Sequence, residues 1–292
     1  MLCAKEEKMD LKALRRLNFD GIMQVGVPDV ESYTFDEYRK NGYEHKPLRG
    51  YCISCERKNI NTSAEDESYV LTNISHGAHS SDFFLALKEK YGISGWHQEP
   101  VIFVYESPSL GYDIYQEVPF EQFKKHPAKE WYWIHEDQDP VKYPACFSGG
   151  QYGGFVLSAI LTFKLANVYM TNLVKCGLNN KDGKFQGLGS YREECVRNCY
   201  EEVLSKELNI IKPKVVFAVG SAVAYWMSNL TGGNSFIQQL PHPAGKRRGF
   251  RDEHYKALYF WLTVHALHKA GVVPVEEGSQ LARTYLENYE SE

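Results

Sequence analysis

Two carboxylates follow a short apolar run in Val101-Ile-Phe-Val-Tyr-Glu-Ser-Pro-Ser-Leu-Gly-Tyr-Asp113. The run Val101 to Val104 predicts a strand covered on both faces, as in a parallel sheet. Pro108 and Gly111 stop any regular element and open the backbone. Ligands of open α/β sheets bind just beyond the carboxyl ends of strands, so Glu106 and Asp113 stand where such proteins do their chemistry. An ordinary strand-end turn is the plain alternative. The cysteines are a second signal. Of seven, Cys52 and Cys55 form a C-x-x-C, Cys176, Cys195 and Cys199 cluster later, and Cys3 and Cys146 stand apart. In a reducing cytosol this pattern points to a metal or iron–sulfur site rather than to disulfides.

The elements that must position these residues alternate strand with helix. Residues 1 to about 50 read as a helix, Leu11 to Leu17, followed by tyrosine-rich loop, and residues 59 to 80 read as polar loop. Asp82 to Tyr91 reads as an amphipathic helix. After the carboxylate loop comes an aromatic segment with Trp131, Tyr132, Trp133, His135, Phe147 and Tyr152, ending in Gly149-Gly-Gln-Tyr-Gly-Gly154 before a helix at Phe155 to Leu165. Val168 to Val174 is a second strand, a Gly/Asn/Lys loop follows, and a helix runs from Tyr191 to Ile211. It stops at Lys212-Pro213, as helices commonly do before proline. Val215 to Val219 is a third strand, and Gly220-Ser221 turns it into the helix Ala222 to Asn229. Phe236 to Leu240 is a short fourth strand; the helices His254 to Ala270 and Ser279 to Tyr289 follow. This alternation predicts a three-layer α/β/α fold around a short, mostly parallel four-stranded sheet, with helical additions at both ends. The expected division is an extension over residues 1–50 and one α/β domain over 51–292, carrying an insertion at about 114–152.

With 292 residues, 43% of them hydrophobic, the chain can bury a substantial core. Its net charge of −4 argues against blanket electrostatic binding of nucleic acid, although a local basic patch stays possible in Lys246, Arg247, Arg248 and Arg251. The first residues lack a long apolar stretch and no segment reaches bilayer-spanning length, so a cytoplasmic location is expected.

Four stretches together resemble the uracil-DNA glycosylase superfamily, closest to its iron–sulfur family 4. Tyr105-Glu-Ser-Pro-Ser-Leu-Gly-Tyr-Asp113 is similar to that family's GEAPGxxED, matching Glu106, Pro108 and Asp113 while losing both glycines and the second glutamate. Met170-Thr-Asn-Leu-Val-Lys-Cys176 resembles ITNVVKC. Cys199 through Ile211-Lys-Pro-Lys-Val-Val-Phe-Ala-Val-Gly220 resembles a cysteine-rich helix followed by LKPKVIVALG. Leu240-Pro-His-Pro-Ala-Gly245 is similar to an HPS-type loop. The four lie in the family's order across residues 50 to 270.

This resemblance implies a monofunctional DNA glycosylase that hydrolyses the N-glycosidic bond of a flipped base and leaves an abasic site. Breaking that bond builds positive charge on the sugar and negative charge on the departing base, as in oxocarbenium-like transition states. Glu106 and Asp113 would serve the sugar and the attacking water, and His242 the base oxygen. Asn172 would read a pyrimidine edge, since an amide offers both donor and acceptor. Phe147 and Tyr152 are both candidates for the aromatic platform under the flipped ring. Lys246, Arg247, Arg248 and Arg251 would contact phosphates without reading sequence. Cys52, Cys55, Cys176 and Cys199 would hold a [4Fe–4S] cluster, with Cys195 the other choice for the fourth position and zinc the competing metal.

The implied partner is DNA, bound by a monomer. The insertion at 114–152 sits beside the expected base pocket and suggests a bulky modified pyrimidine, such as those of some phage genomes, in place of plain uracil. Defence against such DNA would follow, with uracil repair as the competing role. A non-catalytic DNA-binding module is the alternative reading, motivated by Ser107 and Ser109 at altered positions.

Overall fold

The computed structural model describes residues 13, 69–74, 78–80, 94–107, 115–118, 141–144, 156, 159–180, 187–232, 236–242 and 253–290. The expected helix Asp82 to Tyr91, Cys52, Cys55, Asp113, Phe147, Tyr152 and the basic run from Lys246 to Arg251 lie outside them, as does all but residue 13 of the expected helix Leu11 to Leu17. The chain divides into two compact units, Met1–His76 with Leu173–Lys212, and Gly77–Asn172 with Pro213–Glu292.

The second unit is built on a five-stranded sheet. Its strands are β2 (Ala78–His79), β3 (Val101–Tyr105), β6 (Val168–Asn172), β8 (Val215–Val219) and β9 (Ile237–Leu240), in the order β2-β6-β3-β8-β9. The four longer strands run parallel, as the sequence predicts, and β2 adds a short antiparallel edge. All five residues of β3 and all five of β8 are buried, which explains their unbroken apolar composition. Phe103 stacks on Phe217 at 4.7 Å between ring centroids, fastening the two central strands on one face.

Connectivity puts a topological switch at β3. The chain passes from β3 to its neighbour on one side, β6, and then returns to β8 on the other side. In open α/β sheets the crevice at such a switch, beyond the carboxyl ends of the strands, is the usual ligand site. Among the described residues this unit also carries helical positions at 156 and 159–162 and the helices α3 (Ser221–Leu230), α4 (Glu253–Lys269) and α5 (Val275–Glu290). Tyr259 and Phe260 of α4 enter the core with Phe163, Val264 and Leu267. At the other end of β3 from Glu106, Glu277 of α5 accepts hydrogen bonds from His97 and Lys164, each at 3.0 Å. That cluster anchors the start of α5 and lies away from the switch.

In the segment between β3 and β6, β4 (Tyr115–Val118) pairs antiparallel with β5 (Val141–Pro144) as a two-stranded ribbon. The sequence reading did not anticipate this ribbon.

The first unit pairs β1 (Tyr69–Ile74) antiparallel with β7 (Cys176–Asn180), with a register shift between Leu71 and Asn73. Both strands fall in stretches read from sequence as loop. The run expected as a strand through Val174 ends its strand at Asn172. The long helix is interrupted: α1 (Glu193–Cys199) and α2 (Ser205–Ile211) are joined by a π-helical turn at Tyr200–Leu204. Lys212 closes α2 in the left-handed conformation, its N–H bonding the Leu208 carbonyl at 2.8 Å, and Pro213 ends the helix. Lys175 and Glu207 form an ion pair at 2.7 Å with side chains 1% and 0% exposed. Among the described residues, no helix is long and apolar enough to cross a membrane.

Candidate active site

The carboxyl edge of the sheet gathers three of the expected site residues. Glu106 follows the last residue of β3. Tyr105 is in register with Asn172, so Asn172 ends β6 one residue short of the level of Glu106. Val219, at the end of β8, is in register with Leu240, at the end of β9, and His242 follows two residues later. Parallel pairing alone therefore brings Glu106, Asn172 and His242 to one edge, from segments far apart in the chain.

Gly220 joins two of them. It leaves β8 with φ 102° and ψ 149°, a backbone conformation open essentially to glycine alone. Its N–H bonds the Leu240 carbonyl at 2.8 Å, and its own carbonyl accepts the Ala224 N–H at 3.0 Å, starting α3. A Cβ here would stand 3.3 Å from His242 Cδ2 and 3.6 Å from Glu106 Oε1. The carboxylate and the imidazole thus meet over the bare face of Gly220. The sequence reading took this glycine only for a strand-to-helix turn. Its place between two chemical groups depends on the register of β8 with β9.

Burial pushes the His242 imidazole below the usual histidine range, and the Glu106 carboxylate opposes that shift. Desolvation is the larger effect, so the ring stays neutral at pH 7. A neutral imidazole can donate one N–H to an acceptor without giving up its proton.

Ser107, beside Glu106, is buried, and its hydroxyl has no hydrogen-bond partner among the described residues. Asp113, Phe147, Tyr152, Lys246, Arg247, Arg248 and Arg251 lie outside the described residues.

In the other unit, Cys176, Cys195 and Cys199 are buried. The Tyr191 hydroxyl donates to the Cys176 carbonyl at 2.7 Å, tying the approach to α1 to the start of β7. Cys195 and Cys199 lie one helical turn apart on α1, and Cys199 immediately precedes the π turn. No three His, Cys, Asp or Glu side chains among the described residues gather as a metal site. Cys52 and Cys55, the other two expected ligands, lie outside the described residues.

Comparison with known proteins gives one family. The family described as the uracil DNA glycosylase superfamily matches residues 95–263, a span that includes Glu106, Asn172, Gly220 and His242. No curated protein matches the chain.

Proposed function

The chain belongs to the uracil DNA glycosylase superfamily, and we propose that it is a monofunctional DNA glycosylase that hydrolyses the N-glycosidic bond of a flipped base. The observation that carries this reading is the meeting of Glu106 and His242 over Gly220 at the switch of the sheet. The sugar becomes cationic as the C–N bond breaks, and the Glu106 carboxylate is the group to stabilise it and to orient the water that attacks it. The bonding electrons leave with the base. The neutral His242 ring stabilises the resulting anion by donating a hydrogen bond to a base oxygen. Water supplies hydroxide to the sugar and a proton to the base, leaving an abasic site and a free base.

Asn172 supplies a paired donor and acceptor for a pyrimidine edge. In this reading Asp113 assists the water, Phe147 or Tyr152 stacks on the extruded ring, and Lys246, Arg247, Arg248 and Arg251 hold phosphates. The protein acts as a monomer. Cys52, Cys55, Cys176 and Cys199 would hold a [4Fe–4S] cluster, a reading supported by the burial of Cys176 and Cys199 within one unit. The cluster's contribution is to tie separate segments together. Zinc is the competing occupant, since four cysteines also suit its tetrahedral geometry.

The substrate we propose is a pyrimidine with a bulky substituent, in DNA of the kind found in modified phage genomes, with a role in defence. The pairing of β4 with β5 supports this, because it brackets the stretch that carries Trp131, Tyr132 and Trp133 in the sequence between two paired strands. Incubation with uracil-containing DNA and with phage DNA carrying bulky 5-substituted cytosines tests the reading. Release of the modified base, with alkali-labile sites left behind, is expected. Faster release of uracil with no product from modified DNA would defeat the substrate assignment, and no release from either would defeat catalysis.

The altered positions Ser107 and Ser109 favour one other reading, a DNA-binding module without chemistry. It requires salt-dependent DNA binding with no base release, unchanged by Glu106→Ala and His242→Ala.

A further inference from the structure

Helix α3 begins at the site and carries an unusual outer face. Its residues, Ser221-Ala-Val-Ala-Tyr-Trp-Met-Ser-Asn-Leu230, include no charged side chain. Val223, Ala224 and Met227 are buried, which leaves Ser221, Tyr225, Ser228 and Asn229 on the exposed face. Tyr225 is 66% exposed, the most exposed of the large apolar side chains among the described residues. Trp226 meets it edge-on, with ring centroids 6.0 Å apart and planes at 79°, and so restricts where the tyrosine ring can go.

Position gives this face its meaning. The helix runs away from the carboxyl edge of the sheet, starting one residue after Gly220, whose open face meets Glu106 and His242. A helical side chain covers the turn on the N-terminal side of its own Cα. The Tyr225 ring, on the face of α3 opposite Val223, Ala224 and Met227, therefore covers the turn that starts at Ser221, the end of the helix next to Gly220. Without a carboxylate on α3, nothing on this helix repels a polyanion, although the chain as a whole is acidic.

We propose that Tyr225 is a stacking platform for an unpaired nucleobase flanking the extruded nucleotide. This rests on the reading above that DNA enters beside Glu106. Exposed aromatic rings bind single strands through the faces of their bases, independently of sequence. The contact extends the DNA track from the pocket onto α3 and favours single-stranded or locally melted DNA, where a flanking base is free to leave its own stack.

The test measures affinity for a labelled single-stranded oligonucleotide across a salt series, with the full chain and its Tyr225→Ala, Tyr225→Phe and Tyr225→Trp variants. Loss of stacking in Tyr225→Ala is expected to weaken binding by about tenfold or more, while the two aromatic variants stay close to wild type. Because the ring neutralises no phosphate, the salt dependence of Tyr225→Ala should run parallel to that of wild type. Equal affinity for wild type and Tyr225→Ala would overturn the proposal, as would equal losses in the alanine and phenylalanine variants. A wild-type dimer that Tyr225→Ala converts to monomer with unchanged strand affinity would assign the ring to a contact between copies, and would overturn it too. Base release is scored separately on the wild-type chain. Its absence counts against the glycosylase reading, whereas the Tyr225 comparison is read from binding alone.

Discussion

The Glu106 carboxylate and the His242 imidazole face each other over Gly220, and the carboxylate raises the proton affinity of a ring that burial lowers by more. The balance leaves His242 neutral at pH 7. Removing the carboxylate's charge should lower the ring's pKa further. NMR titration of the imidazole should therefore show His242 titrating below 6.5 in the wild-type chain and lower still in Glu106→Gln. An unchanged or raised value in the variant would contradict the pairing.

The same shift links pH to stability. Below pH 6.5 the unfolded chain takes up a proton at His242 that the folded chain resists. The contribution of this residue is thus constant above that pH and is lost progressively as pH falls from it through the lower folded-state pKa. Chemical denaturation of wild type and His242→Asn across pH 5 to 7, ranges chosen to span the usual histidine pKa of about 6.5, should show a shallower acid-side decline in the variant. Identical slopes would assign the decline to other groups.

Gly220→Ala should damage fold and site together. The backbone at φ 102° admits a side chain only with strain, on the order of 1–3 kcal/mol. The added methyl group would also press on His242 at 3.3 Å and stand against Glu106 at 3.6 Å. Lower stability in denaturant, with turnover reduced beyond what the lost folded fraction explains, is the expected outcome. A variant with wild-type turnover would show that the two groups do not need this spacing.

Four strands were legible in the sequence, β3, β6 and β8 because each is a largely apolar run closed by a turn signal, and their order places Glu106, Asn172 and His242 at one edge. β1 and β7 were not legible. Cys176-Gly-Leu-Asn-Asn180 is too polar and too rich in glycine and asparagine to read as a strand, and it takes its form from pairing with Tyr69–Ile74. The same limit hid Gly220, whose importance lies in what its missing side chain leaves room for. It hid the pair Lys175 and Glu207 as well, since residues 32 positions apart carry no local signal of contact.

That pair gives a prediction independent of catalysis. Both charges are buried, so removing either one breaks a buried ion pair. Glu207→Leu should cost about 3–5 kcal/mol, and the double variant Lys175→Met/Glu207→Leu should recover much of the loss. Denaturant unfolding of the three chains checks it; a double variant no more stable than Glu207→Leu would contradict the account.

The cysteines separate the two candidate metals and the two candidate ligands. A purified sample carrying the proposed cluster should be brown, and Cys52→Ala and Cys199→Ala should bleach it, whereas Cys195→Ala should keep its colour. Bleaching by Cys195→Ala with colour retained in Cys199→Ala would exchange the two roles. A colourless protein with stoichiometric zinc would replace the cluster.

The central claim is that Glu106 and His242 act together on the glycosidic bond. Single-turnover release of the target base, measured for wild type, Glu106→Gln and His242→Ala at matched DNA saturation, tests it most directly. Wild type should release free base and leave an alkali-labile abasic site, and each variant should bind the same DNA but release base about a hundredfold more slowly or worse. Release at the wild-type rate by both variants would contradict it.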